Sequence, residues 1–205
     1  MNMPDLSALT TPDSLPASVA GKTVTVYGSS SAGISDIYKQ AAHELGEAVA
    51  RAGLILVSGG GSAGLMGAAI DGALSAGGTT VGVLPEFMIE RGWAHGGLTH
   101  TVAVPDMHAR KALMAAYAGV VVAMPGGIGT FEEIFEIITW RQLGLWSGQA
   151  LILNTAGYYS DLVAMLSKAQ EQHFMQRPGA TGCSLYRVVD TAEEAISIIT
   201  SVLCR

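Results

Sequence analysis

Val120-Val121-Val122-Ala123-Met124-Pro125-Gly126-Gly127-Ile128-Gly129-Thr130-Phe131-Glu132-Glu133 joins an apolar run to a helical one across a turn rich in glycine. The first five residues have strand length and character. Ile134, Phe135, Ile137 and Ile138 recur at helical spacing, so the segment reads as strand, turn and helix start. Such a junction is where α/β proteins hold anions. Glycines let a ligand approach the main chain, while unpaired N–H groups and the positive end of the helix dipole face it. A phosphate is the natural guest, and Glu132 and Glu133, read as first-turn acids, suggest an electron-poor centre beside it. Thr130-x-x-Glu133 also has capping-box spacing, which leaves Glu133 open to a purely structural reading.

Two more small-residue turns follow apolar strands. Gly28-Ser29-Ser30-Ser31 ends the strand Lys22 to Tyr27, and Gly59-Gly60-Gly61-Ser62-Ala63-Gly64 ends Leu54 to Val57. Gly59, Gly61 and Gly64 satisfy GxGxxG, but after the second strand rather than the first, and the following strand ends at Pro85 with only Glu86 as an acid. A loop that touches a mononucleotide, or that simply packs closely, therefore fits better than a dinucleotide site. Further strands are expected at Thr79 to Leu84, Thr101 to Val104, Ala150 to Leu153 and Leu185 to Val189. Helices alternate with them: one from Ser35 closed by Gly53, one capped by Asp106, Tyr158 to His173, and Thr191 to Leu203. Residues 85–97 read as an irregular polar connection. The alternation predicts a single Rossmann-like, doubly wound, mostly parallel sheet with helices on both faces, and a ligand crevice at the carboxyl ends of its strands.

Composition narrows the function. The chain of 205 residues is 49% apolar and 14% charged with 26 glycines, which suits a buried parallel sheet. A net charge of -6 without any cluster of Lys and Arg excludes a nucleic-acid footprint. Cys183 and Cys204 form neither metal spacing nor a disulfide framework, and the five histidines lack paired spacing, so no metal and no cofactor are expected. Residues 1–21 lack the basic start and apolar core of a signal peptide and read as a flexible arm. A cytoplasmic, reducing location follows, with small-molecule partners, no nucleic acid and no membrane.

Met107-His108-x-Arg110-Lys111 followed by Pro125-Gly126-Gly127-x-Gly129-Thr130-x-x-Glu133 resembles the paired signature of the Lonely Guy family of cytokinin-activating phosphoribohydrolases. The similarity runs from about Val24 to Phe174 and includes Gly28-Ser29-Ser30, Gly59-Gly60-Gly61-Ser62, Ile138-Thr139-Trp140 and Gly157-Tyr158-Tyr159. It implies hydrolysis of the N-glycosidic bond of N6-modified adenosine 5'-monophosphates to free base and ribose 5-phosphate, with Arg110 and Glu133 catalytic. It also implies homodimers or dimer-based oligomers with the site near the interface.

Residues 22–175 are expected to form the nucleotide-binding domain, and 176–205, outside the similarity, a strand and helix extension packed on it. The main-chain groups from Gly126 through Gly127, Ile128 and Gly129 to Thr130 are expected to hold phosphate, Glu132 the ribose hydroxyls, and Arg110 ribose or phosphate. Gly28, Ser29, Gly60, Gly61, Ser62, Met107, Lys111, Phe131 and Thr139 complete the expected contacts. Relatives carry an acid in the context Arg-Glu-x-x-His, whereas this chain reads Arg91-Gly92-Trp93-Ala94-His95. Alternatives are an AMP nucleosidase without cytokinin preference and a nucleotide carrier without turnover. The label lysine decarboxylase, also given to relatives, fits less well: Lys22, Lys39, Lys111 and Lys168 all lack a recognisable pyridoxal phosphate context.

Overall fold

The computed structural model describes residues 22–175 and 184–204. The expected arm at 1–21, the linker at 176–182 and Cys183 lie outside the described residues. Seven strands, β1 (Thr23–Tyr27), β2 (Ile55–Ser58), β3 (Thr79–Pro85), β4 (His100–Val104), β5 (Val120–Ala123), β6 (Gln149–Leu153) and β7 (Arg187–Val189), form one parallel sheet in the order β4-β3-β2-β1-β5-β6-β7. Each pairing is parallel, from Val24 beside Leu56 and Val120 in the centre to Ile152 beside Val188 at the edge. Strand order reverses between β1 and β5. A doubly wound sheet opens its ligand crevice at such a reversal, and the turns after both strands meet there.

Helices α1 (Asp36–Arg51), α2 (Gly64–Ser75) and α7 (Ala192–Leu203) cover one face, where Val24, Val26, Leu45, Val49, Ile70 and Ile199 cluster. Helices α4 (Met107–Tyr117), α5 (Ile128–Gln142) and α6 (Ser160–Glu171) cover the other around Met114, Val121, Ile134, Ile137 and Leu166. Alternate residues of the central strands therefore enter opposite cores, each fully buried aliphatic side chain contributing about 1.5–3 kcal/mol. Two β1 threonines, Thr23 and Thr25, face α4 and hydrogen-bond to the carbonyls of Tyr117 and Met114. Helices α1 and α2 pack at backbone distance because Gly46 and Gly72 carry no side chain: a Cβ at either would stand 2.0 Å from a carbonyl oxygen of the other helix.

Three local expectations change. Residues 85–97 include a short helix, α3 (Glu86–Glu90), where only irregular chain was expected. The helix expected from Tyr158 begins at Ser160, behind a 3-10 turn at Thr155–Gly157 with Ala156 at φ 52°. Asn154 sets that turn by accepting the Tyr159 N–H on its side chain at 2.7 Å. The edge strand is shorter, starting at Arg187.

Candidate active site

Helix α5 begins one turn earlier than capping-box spacing suggests. Gly127 is the N-cap in extended backbone, the helix runs from Ile128, and Thr130 lies inside the first turn. Glycine is an acceptable N-cap, so the helix needs no threonine there. The capping-box reading of Glu133 is thereby corrected. No acid occupies the first turn, and Glu132 and Glu133 stand in the second. The opening N–H groups of Ile128, Gly129 and Thr130 lack intrahelical acceptors by position, and Gly127, Gly129 and Thr130 line the cleft. The turn before them is clamped: Tyr158 donates to the Gly126 carbonyl and Tyr159 to the Met124 carbonyl, both at 2.7 Å, while the Pro125 carbonyl accepts from Ser29 N.

Freed from capping, Glu133 turns into the crevice. Arg110 reaches it from α4, donating through Nη1 to Glu133 Oε1 at 3.2 Å and through Nε to the Val83 carbonyl at 3.2 Å. Asp106 caps α4 by accepting Ala109 N on its side chain and so fixes where Arg110 emerges. Both partners are more than nine-tenths buried. Gly59 is what admits the guanidinium, since a Cβ there would lie 1.7 Å from Arg110 Nη2. Burial pushes the Glu133 carboxyl up to about 7, with Glu132 adding to the rise while Arg110 and Lys111 oppose it. The second oxygen, Oε2, has no protein donor among the described residues and belongs to a side chain that lines the cleft.

Lys111, the next residue on α4, makes the neighbouring cross-link. Its Nζ pairs with Glu132 and, at 3.4 Å, with Glu136. Burial alone would lower the ammonium, but its bonds to both glutamates outweigh that and hold it above the ordinary lysine value. A permanently charged lysine is a poor Schiff-base nucleophile.

The cleft, about 600 Å³, has the size of a small-molecule site. Of the residues expected from sequence, it brings together Gly28, Ser29, Gly61, Ser62, Met107 and Arg110 from the β1, β2 and α4 side. Gly127, Gly129, Thr130, Glu132 and Glu133 come from the α5 side.

Six expected contacts lie off its wall. Gly126 accepts from Tyr158, Gly60 accepts from His95, and Lys111 is engaged by glutamates. Ile128 is 83% exposed beside the cleft, Phe131 packs on Tyr159 and Phe135, and Thr139 is exposed along α5. Ser30, Gly59, Met66, Leu84, Met88, Gly92 and Trp93 line it as well. Trp93, within the connection read from sequence as irregular and polar, stands 48% exposed on the cleft wall. Gly92 has φ +70°, a conformation in which the acid of the relatives would be strained. Among the described residues no group of His, Cys, Asp and Glu could hold a metal ion.

A family model described as "Possible lysine decarboxylase" matches residues 66–199. The cytokinin riboside 5'-monophosphate phosphoribohydrolase of Rhodococcoides fascians is 43% identical over 176 residues, which are 85% of this chain and 88% of that protein. An Arabidopsis thaliana protein of the same name is 41% identical, over 75% of this chain and 72% of its own length. Among solved structures, the Moco carrier protein of Chlamydomonas superposes with a TM-score of 0.67 at 24% identity, covering 89% of this chain and 98% of its own. The molybdenum cofactor binding protein of Rippkaea orientalis gives 0.65 at 21%, covering 88% and 94%. At those identities the structural likeness speaks for the fold.

Proposed function

The chain belongs to the family of cytokinin riboside 5'-monophosphate phosphoribohydrolases, and from this we propose that it hydrolyses the N-glycosidic bond of N6-modified AMP to free cytokinin base and ribose 5-phosphate. The observation that carries the reading is the buried Arg110–Glu133 pair set beside the open start of α5 in one cleft.

Each part has a use in that reaction. The N–H groups at the start of α5 and the helix dipole receive the 5'-phosphate, which aims C1' at Glu133. As the bond from C1' to N9 breaks, its electron pair leaves with the base and positive charge spreads over C1' and the ring oxygen. An ionised Glu133 lowers the energy of that oxocarbenium; water then bonds C1' through its oxygen, and the proton it loses ends on the departing base. At 4 Å and an effective dielectric near 20, one such charge pair is worth about 4 kcal/mol, roughly a thousandfold in rate. Arg110 occupies Oε1, so Oε2 is the oxygen that faces the sugar. Glu132, held by Lys111 yet still open to solvent, takes the ribose hydroxyls in this reading.

The test is direct. Incubation with N6-isopentenyladenosine 5'-monophosphate should release the base and ribose 5-phosphate, faster than AMP releases adenine; release of neither base would contradict the assignment. The description lysine decarboxylase finds no support in the lysines: Lys111 is ion-paired, and Lys39 pairs with Asp36 on the surface.

The same reading gives a cytoplasmic homodimer. Ile128 and Phe135, seven residues apart on α5, and Leu143 and Leu145 just past its end are exposed, and a second copy would cover these apolar side chains. Light scattering should give twice the chain mass, and a monomer would remove this part. Among the described residues no helix is long and apolar enough to cross a membrane.

A further inference from the structure

We propose that Trp93 selects the base: its ring is the surface on which an apolar N6 substituent docks, setting the preference for N6-modified nucleotides over AMP. The proposal deepens the hydrolase reading above and rests on it.

Trp93 is held in place by main chain. Helix α3 ends with Gly92 at φ +70°, where Gly92 N donates to the Ile89 carbonyl and Trp93 N to the Met88 carbonyl at 3.1 Å, a Schellman turn. Trp93 O then accepts from Ser62 N, Ala94 bridges to Gly61, and His95 N donates to the Gly60 carbonyl at 2.8 Å. These bonds tie the loop to the glycine turn after β2. The ring meets Phe87 edge-on at 6.5 Å, and the Arg91 guanidinium lies over both rings at 5.2 and 5.5 Å.

A tryptophan kept only to close a helix would bury its ring against that helix. This one remains 48% exposed and lines the cleft with Met66, Leu84, Met88 and Met107. Those thioether and aliphatic side chains adapt to an apolar guest and offer no hydrogen-bonding partner of their own strength. The charged groups of the cleft, Arg110, Glu132 and Glu133, are carried by α4 and α5 instead. A ligand that matches both parts carries phosphate and ribose at one end and an apolar chain at the other.

Two measurements test it. Dissociation constants for N6-isopentenyl-AMP and AMP are compared by calorimetry in the Glu133→Gln chain with and without Trp93→Ala, and kcat/KM for both nucleotides is compared with Glu133 intact. The preference for the N6-modified nucleotide should fall about tenfold or more, equivalent to about 1.4 kcal/mol, and Trp93→Phe should keep most of it. A structural role would weaken both nucleotides alike; an equal loss, or no loss, overturns the proposal. Absence of turnover by the unaltered chain, with the binding preference still dependent on Trp93, would overturn the hydrolase reading and support this one. In a Trp140→Phe, Trp146→Phe chain, emission comes from Trp93 alone, the third of three tryptophans. It should change on binding N6-isopentenyl-AMP, and unchanged emission at saturation contradicts the contact.

Discussion

The floor of the cleft is made where β1, β5, α4 and α5 meet at the middle of the sheet, whereas its apolar wall is a short helix and loop hung between β3 and β4 at the sheet's edge. The floor is fixed by side chains: Arg110 to Glu133, Lys111 to Glu132, Tyr158 to the Gly126 carbonyl and Tyr159 to the Met124 carbonyl. The wall is fixed by main-chain bonds between Trp93 and His95 and residues 60–62, and of its side chains Trp93 meets Phe87 and Arg91 of its own segment while lining the cleft. Changes in the floor should therefore alter the chemical step, and changes in the wall should alter which nucleotide enters. That contrast is open to attack from both sides.

The largest effect is expected at the buried pair. Glu133→Gln keeps an acceptor for Arg110 but removes the charge, so kcat should fall about a thousandfold with KM little changed. A kcat within threefold of the parent would remove Glu133 from the chemistry. Gly59→Ala comes next: the added methyl meets Arg110 Nη2 at 1.7 Å, and since that atom ends a flexible side chain the fold should survive while the guanidinium moves. A misplaced pair of this kind costs up to about a hundredfold in kcat/KM, measurable beside an unchanged melting temperature.

Acidity gives a graded test. Glu133 is raised to about 7 chiefly by burial, so it is increasingly protonated, and inactive as an anion, as pH falls through that value. Activity should drop about tenfold per unit below it and level off above. The same raised value means that the folded state holds this proton more tightly than the unfolded chain. Its contribution to stability is thus full at pH below the ordinary carboxylate range and lost as pH rises through about 7. The Glu133→Gln chain should show neither limb. Smallest is Lys111→Met. Glu132 is an exposed partner, its side chain 58% accessible, and such pairs are worth about 0–1 kcal/mol. KM should rise less than about fivefold and kcat should hold; a large loss of kcat would make Lys111 part of the chemistry and blur the contrast between side-chain roles on the floor.

The floor was legible in the sequence because its residues sit at the ends of regular elements whose pattern is local. Alternating strands and amphipathic helices gave the winding, and glycine turns gave the crevice. Asp106 capping α4 was readable from spacing. The start of α5 was misread by one turn, since a glycine N-cap leaves no side-chain signal and Thr130-x-x-Glu133 supplied a false one. The wall was hidden for a different reason. Trp93 faces the cleft because Gly92 adopts a positive φ and because residues 60–62 exchange main-chain hydrogen bonds with the loop, a pairing between segments some thirty residues apart. Lys111 is among the contacts expected from its place beside Arg110, but successive helical residues point about 100° apart, and it meets Glu132 and Glu136 instead.

A crystal of the Glu133→Gln chain soaked with N6-isopentenyl-AMP tests the central claim most directly, because the substrate should persist in it. Phosphate oxygens should lie within hydrogen-bond distance of the N–H groups of Ile128, Gly129 and Thr130, with C1' about 3–4 Å from the side-chain amide at position 133. Phosphate bound elsewhere, with C1' remote from that side chain, would contradict it.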